Sequence, residues 1–281
     1  MEKRFAMLGV AGYIAPKHLK AIKDTGGKLV AAFDTHDSVG ILDSYFPDCD
    51  FFTEFERFER YLELKKRTDN IDYLVVCTPN YLHDSHIRLG LRLNADVICE
   101  KPIVINPKNL YALERFEQES RKRVFSILQL RLHPVIQKLR KEVVGNHKVE
   151  LHYTTPRGNW YHYSWKGDEN KSGGIAMNLG IHFFDMLIHL FGDWQDIKVF
   201  EKTTTRLCGY VKLKKADVNF TLSTKGDKSR KMTFDGKVID FTEGFEDLHT
   251  KSYKNILDGN GFRIRDCWPS LELVQAIREY K

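Results

Sequence analysis

The feature that most constrains this chain is a rhythm in its first 128 residues, where short, almost uninterrupted apolar runs are separated by amphipathic stretches. The runs fall at residues 5–10, 29–33, 73–77, 97–99 and 124–128, and helical patterns lie near 17–23, 55–64, 81–93 and 109–119. A strand covered on both faces has no polar side to alternate. Apolar runs spaced by helices therefore predict a parallel sheet between two helix layers. Beyond residue 128 the rhythm changes. One long apolar helix is expected over 175–191, followed by alternating segments at 196–203, 209–213, 217–223, 231–234 and 238–242 with no helices between them. Asp235-Gly236 is a hairpin signal, because both residues tolerate positive φ. C-terminal helices are expected near 249–257 and 270–280. The second half thus reads as α+β with an open, mostly antiparallel sheet.

Composition narrows the function classes. The chain has 281 residues, 42% hydrophobic and 29% charged, enough to fill the cores of two modest domains. No uninterrupted apolar run reaches the roughly 18 residues that cross a bilayer, so no membrane partner is expected. Met1-Glu2-Lys3-Arg4 leads straight into an apolar strand with no small-residue cleavage site, which argues against a secretory signal. The five cysteines are odd in number and form no C-x-x-C pair, as expected of reduced thiols in a cytoplasmic protein rather than a disulfide framework or zinc site. The net charge of +6 is interleaved with acids, as in Glu54-Phe55-Glu56-Arg57 and Glu63-Leu64-Lys65-Lys66-Arg67. No segregated basic stripe offers a nucleic-acid face, and a small anionic ligand accounts for the excess equally well.

The first strand runs into Gly9-Val10-Ala11-Gly12-Tyr13-Ile14-Ala15. Small residues at 9, 11, 12 and 15 let backbone amides approach a pyrophosphate at a helix N-terminus. The spacing G-x-x-G-x-x-A departs from G-x-G-x-x-G by one inserted residue. Asp34 ends the next strand about 20 residues later, where a carboxylate accepts the ribose hydroxyls of NAD and repels the phosphate of NADP. Thr78-Pro79-Asn80-Tyr81-Leu82-His83 and Glu100-Lys101-Pro102 sit at the carboxyl ends of two further strands, the edge where α/β sheets bind ligands. The N-terminal half, 1–128, is accordingly expected to be a Rossmann-type doubly wound domain for NAD, contacted by Gly9, Gly12, Tyr13, Ile14, Ala15, Asp34, Thr78, Pro79, Asn80, His83, Glu100 and Lys101. Residues 129–281 are expected to form the substrate-binding and oligomerisation domain.

The chemistry centres on the predicted helix from Gly173 to His189. Asn178, His182, Asp185 and His189 fall at i, i+4, i+7 and i+11, one polar stripe on an apolar helix. Three readings remain: a satisfied polar seam, a metal site from His182, Asp185 and His189 that no cysteine or second carboxylate cluster supports, and acid/base catalysis. In the third, a neutral His182, oriented by Asp185, takes the proton of an alcohol whose carbon loses hydride. Lys101 stabilises the developing alkoxide. Segment 157–168 reads as a substrate loop. Arg157 and Lys166 suit a phosphate or carboxylate, and Trp160, Tyr161 and Trp165 offer ring faces to a uracil or pyranose. Asn159, Arg131 and Tyr253 complete the substrate candidates together with Asn178 and His182.

These motifs together — the Gly-rich turn followed by His18, Thr78-Pro79-Asn80, Glu100-Lys101-Pro102 and Gly-Gly…Asn-x-Gly-x-His-x-x-Asp — resemble the glucose-fructose oxidoreductase / inositol dehydrogenase family over nearly the whole chain. Ala11-Gly12-Tyr13-Ile14-Ala15-Pro16, Ala21-Ile22-Lys23-Asp24-Thr25-Gly26, Arg157-Gly158-Asn159-Trp160-Tyr161, Ser164-Trp165-Lys166-Gly167-Asp168 and Asp247-Leu248-His249-Thr250 are similar to its UDP-N-acetylglucosaminuronate 3-dehydrogenase branch. The resemblance implies NAD-dependent oxidation of the C3 hydroxyl of a UDP-linked N-acetylamino sugar acid for bacterial surface polysaccharide such as lipopolysaccharide O-antigen. Lys101 and His182 match the branch's lysine and histidine at the reacting carbon. It also implies a 2-oxo acid that reoxidises NADH and a homodimer or homotetramer. Many members carry Asp where this chain has Asn178. The alternatives are another nucleotide sugar or a free polyol as substrate, and a non-catalytic NAD-binding protein.

Overall fold

The computed structural model describes residues 2–240 and 244–281, and the chain divides into two compact units. The first takes Met1–Val104, Lys108–Ile127 and His249–Asp266, and the second takes Ile105–Pro107, Leu128–Leu248 and Cys267–Lys281. Apart from Ile105–Pro107, the first unit runs to Ile127, and His249–Asp266 returns to it. The physical reason is apolar burial: Tyr253 and Ile256 join the core around Phe5, Tyr73 and Phe125. Tyr253 lies 6.0 Å from the Phe5 ring, which itself stacks on Tyr73 at 5.1 Å.

The first unit holds the strands β1 (Arg4–Leu8), β2 (Lys28–Phe33), β3 (Asp50–Phe52), β4 (Tyr73–Val76), β5 (Asp96–Cys99) and β6 (Val124–Ser126). They pair in parallel in the order β3-β2-β1-β4-β5-β6. β4 is buried at every residue, which explains its unbroken apolar sequence. The chain winds outward from β1 to β3 and then back to β4 on the other side of β1. The carboxyl ends of β1 and β4 therefore form the switch point where doubly wound sheets bind ligands. β3 is short and only partly buried, and no apolar run announced it.

The second unit holds β7 (His147–Thr154), β8 (Trp194–Lys202), β9 (Arg206–Leu213), β10 (Ala216–Ser223), β11 (Ser229–Phe234) and β12 (Lys237–Asp240). Their order is β12-β11-β7-β10-β9-β8, antiparallel throughout except for the parallel pair of β7 with β10. In β7, His147, Val149 and Leu151 are buried while Lys148, Glu150 and His152 are exposed, so one face packs and the other meets solvent. The helix Ile181–Phe191 covers the packed face, with Phe184 edge-on to Phe220 at 5.1 Å and Phe191 stacked on Phe234 at 5.9 Å. The Asp235-Gly236 turn forms as expected, with φ of 47° and 83°. The strand expected over 238–242 is seen to Asp240, and its last residues lie outside the described ones. The stretch Glu169–Phe191 is long and apolar enough to cross a membrane, but 78% of its most apolar window is buried within the protein, so its apolarity serves a core.

Candidate active site

At the end of β1 the chain turns at Gly9, whose φ of +86° suits glycine and whose added Cβ would sit 2.7 Å from the Cys77 backbone. The Gly9 amide donates to the Phe33 carbonyl (2.8 Å), Gly12 to Gly9 (3.1 Å) and Ala15 to Gly12 (3.0 Å). The helix Ala15–Asp24 then begins with no side-chain cap at Ile14 and no acidic residue in its first turn. The positive end of the helix dipole at this terminus favours an anion. Asp34 accepts from the Ala11 amide (2.9 Å) and the His36 amide (3.0 Å), which orients its carboxylate beside the turn with lone pairs to spare. These features fit a dinucleotide. Tyr13 is exposed, Ile14 half-buried and Ala15 buried.

The next two turns are tied together by histidines. The His83 ring nitrogens lie 2.6 Å from the Pro102 carbonyl oxygen and 2.7 Å from the Thr78 carbonyl oxygen. His83 is buried between the Thr78-Pro79-Asn80 turn and the Glu100-Lys101-Pro102 turn and, when neutral, donates to one of these two carbonyls. Burial pushes its pKa down, and the two carbonyls push it back up. Thr78 shares its hydroxyl with His86 Nδ1 at 2.9 Å, and burial holds His86 neutral with a pKa of about 4.

Glu100 is also buried, and its carboxylate is already engaged. Nε2 of His18 and Nε2 of His249 both lie 3.0 Å from Oε1, and the Lys101 amide donates to Oε2 at 3.2 Å. His18 Nδ1 in turn lies 2.8 Å from the Tyr253 hydroxyl. Although burial opposes charge here, donation from His18 and His249 holds Glu100 well below the usual carboxylate range. Glu100 is thus held on both carboxylate oxygens by neighbouring donors. Tyr253, expected to touch substrate, is a fully buried core residue. The ligand-type atoms of His18, Glu100 and His249 lie within 4.8 Å of one another, but direct hydrogen bonds already use them. The cluster was missed because His18 and His249 are read singly in sequence. The only signal was His249 four residues before Tyr253 on one helix.

In the second unit, the expected single helix starts with a π-helical turn, Ala176–Gly180, before Ile181–Phe191 continues as α-helix. Its wider i→i+5 winding shifts Asn178 out of the α-helical register with His182. His182 and His189 are partly buried, and Asp185 is buried. Both oxygens of Asp185 accept from Arg131, Nε at 2.9 Å and a terminal nitrogen at 2.7 Å. The aspartate expected to orient His182 and the arginine expected to meet substrate are thus two halves of a buried ion pair. Burial, reinforced by Arg131 and Arg140, lowers His189 to about 4.

Segment 157–168 is differently occupied than expected. Tyr161 is only 3% exposed, and its hydroxyl accepts from Asn178 Nδ2 at 2.6 Å, so it offers no open ring face. Lys166 lies 5.5 Å from the Trp160 ring centre and 4.8 Å from that of Trp165, using ring faces assigned to a base or sugar. Burial and the neighbouring Arg157 lower the Lys166 pKa, so two cations share this place. Arg157 and Asn159 are exposed, and Trp160 is 54% exposed.

Comparison with known proteins agrees with this architecture. Residues 3–127 match the family model described as "Oxidoreductase family, NAD-binding Rossmann fold", and residues 138–212 match "Oxidoreductase family, C-terminal alpha/beta domain". The WlbA (WbpB) dehydrogenase from Thermus thermophilus, solved with NAD and alpha-ketoglutarate, is 43% identical with a TM-score of 0.96, covering 99% of this chain and 96% of that one. A second structure of it, with NAD and UDP-GlcNAcA, has the same identity and TM-score and covers 99% and 95%. Glucose-6-phosphate 3-dehydrogenase of Bacillus subtilis is 23% identical over 99% of this chain and 74% of its own length. With both halves matched and the glycine turn, Asp34 and the Glu100-Lys101-Pro102 turn at one sheet edge, the chain belongs to the glucose-fructose oxidoreductase / inositol dehydrogenase family and carries its NAD-binding domain.

Proposed function

We propose that this protein is an NAD-dependent dehydrogenase that oxidises the C3 hydroxyl of a UDP-linked N-acetylamino sugar acid. The observation that carries the reading is its 43% identity, over 99% of its length, to a dehydrogenase solved with NAD and UDP-GlcNAcA. When bound, NAD supplies the acceptor for the hydride leaving C3. The turn at Gly9 and Gly12 and the uncapped helix after it would hold the pyrophosphate, and Asp34 the adenosine ribose. Lys101 polarises the hydroxyl and stabilises the developing alkoxide, and His182 accepts the hydroxyl proton. Asp185, paired with Arg131, fixes the helix that presents His182. Arg157, Asn159, Trp160, Trp165 and Lys166 receive the anionic nucleotide sugar, with Asn178 and Tyr161 supporting them.

A 2-oxo acid taking the hydride back, and so becoming a 2-hydroxy acid, would close the cycle. That role is supported by the relative solved with alpha-ketoglutarate. The product supplies a C3 ketone to bacterial surface polysaccharide such as O-antigen. All five cysteines are free, which supports a reducing, cytoplasmic setting. The open face of the second sheet, with Phe200 68% exposed on β8, supports self-association as a homodimer or homotetramer.

The direct test incubates the protein with NAD and UDP-N-acetylglucosaminuronate and follows reduced nicotinamide by absorbance, with and without 2-oxoglutarate. Nicotinamide reduction or 2-oxoglutarate-dependent turnover is expected. Lys101→Ala and His182→Asn should each retain NAD binding and lose about 10²–10⁴-fold in turnover. Undiminished turnover in both variants would overturn the residue assignment. Turnover of a free polyol that is indifferent to Arg157→Ala would overturn the substrate class.

A further inference from the structure

We propose that His18, His249 and Tyr253 are positioning residues for Lys101, acting through Glu100. This inference rests on the reading of Lys101 as the residue that polarises the hydroxyl. An ionised carboxylate only accepts hydrogen bonds, so the two imidazoles at 3.0 Å from Oε1 must both donate their Nε2–H. His18 is kept neutral by burial, so with its proton on Nε2 its Nδ1 carries a lone pair. The Tyr253 hydroxyl 2.8 Å away therefore donates to it. The chain of donation runs one way, from Tyr253 to His18 to Glu100. The second oxygen of Glu100 then receives the Lys101 amide.

On the other side of Lys101, the Pro102 carbonyl lies 2.6 Å from His83. The residues before and after Lys101 are thus both pinned by buried imidazoles, while Lys101 itself is only partly buried. Both neighbours of Lys101 in the turn are therefore held by contacts outside it. Misplacing a reacting group by about 1 Å can cost on the order of 10²-fold in rate, so holding this backbone has kinetic weight. The groups facing Glu100 are His18 from the helix Ala15–Asp24, His249 and Tyr253 from the helix Leu248–Leu257, Cys77 after β4, Cys99 at the end of β5, and His83 and Lys101 beside the turn. Burial keeps Cys77 and Tyr253 protonated. Loss of an imidazole donor leaves the Glu100 anion under-solvated, so it takes up a proton or swings away, and the Lys101 amide goes with it.

The test uses the whole protein labelled at glutamate Cδ with carbon-13 and followed by NMR between pH 4 and 8, with the Glu100 signal assigned through Glu100→Gln. In the unmodified protein Glu100 should stay ionised across the range, whereas in His249→Leu it should titrate within it. Acetylation of Lys101 relative to exposed Lys17, read by mass spectrometry and needing no substrate, should change about threefold or more in that variant. Turnover should fall about tenfold with KM for NAD within about twofold, and the pH–rate profile should gain an acid limb at the new Glu100 midpoint. His249→Gln, whose amide nitrogen can donate to the same oxygen, should restore all three readouts. If His249→Leu does not fold, Tyr253→Phe, which keeps the core ring, carries the same measurements. A folded variant with unaltered Glu100 titration or unaltered Lys101 labelling overturns the proposal. Turnover retained by Lys101→Met instead overturns the catalytic role of Lys101 and leaves the carboxylate and labelling results standing by themselves.

Discussion

Two buried carboxylates, one in each unit, are held by opposite means. Glu100 in the first unit accepts from His18, His249 and the Lys101 amide, so the charge stays and is solvated by dipoles. Asp185 in the second is met by the Arg131 guanidinium, so the charge is cancelled. The difference matters because a guanidinium does not titrate in any useful range, whereas an imidazole does. An anion held by dipoles is a charge available to a neighbouring site. An anion held by arginine is a structural rivet.

The largest effect should come from breaking the rivet. Arg131→Met leaves Asp185 buried without its guanidinium, which costs about 3–5 kcal/mol, while replacing both residues by apolar ones should recover much of that loss. Thermal denaturation checks this, with a fall of roughly 10 °C expected for the single variant. A stable Arg131→Met would mean that Asp185 does not depend on the guanidinium, and the contrast with Glu100 would fail.

The next effect is acid sensitivity. His18 and His86 in the first unit and His189 in the second have pKa values lowered by burial, the latter two to about 4. Each binds less proton when folded, so stability is lost as pH falls from the unfolded value of about 6.5 toward the folded one, at up to about 1.4 kcal/mol per pH unit per group. Glu100 acts in the same direction but lower. Its folded pKa is depressed, so its contribution holds above the unfolded value of about 4.5 and is lost below it. The melting temperature should fall steadily from pH 7 to 4.5. In hydrogen exchange, β1, β4 and β5 should lose protection before β9 and β10. A melting temperature flat over this range would break the comparison.

The smallest effect sharpens the second unit alone. Tyr161→Phe removes the acceptor for Asn178 without opening the core, so stability should fall by about 1 kcal/mol. Substrate KM should rise only severalfold if Asn178 then swings free. An unchanged KM in substrate titrations would show that Asn178 acts without this tyrosine.

What could be read in the sequence was local. The apolar runs of β1, β4 and β5 and the Asp235-Gly236 turn follow from side-chain period and φ preference. β7 carries a clear alternation, Val149 and Leu151 against Lys148, Glu150 and His152, that is not among the expected strands. The candidate site was legible as residue types but not as pairs. Asp185 is four residues from His189 and three from His182, and still its partner is Arg131, 54 positions away. Glu100 meets His249 across 149 positions. Helix spacing says which side chains share a face. It cannot say what the rest of the chain brings to that face, and here His83, Arg131, Tyr161 and Tyr253, expected at ligands, are all buried.

The return of His249–Asp266 to the first unit also sets an order of assembly. The helix bearing His249 and Tyr253 is part of that unit, and near its end the Ser126 amide of β6 donates to the Phe262 carbonyl at 2.9 Å. A ribosome releases the first six strands long before these residues exist. At about 5–20 residues per second, the nascent sheet waits on the order of ten seconds with Glu100 lacking one of its donors and Phe5 lacking its cover. During that interval the half that will bind nucleotide is exposed at its edge and in its core. A fragment stopped near residue 128 would preserve that unfinished state permanently.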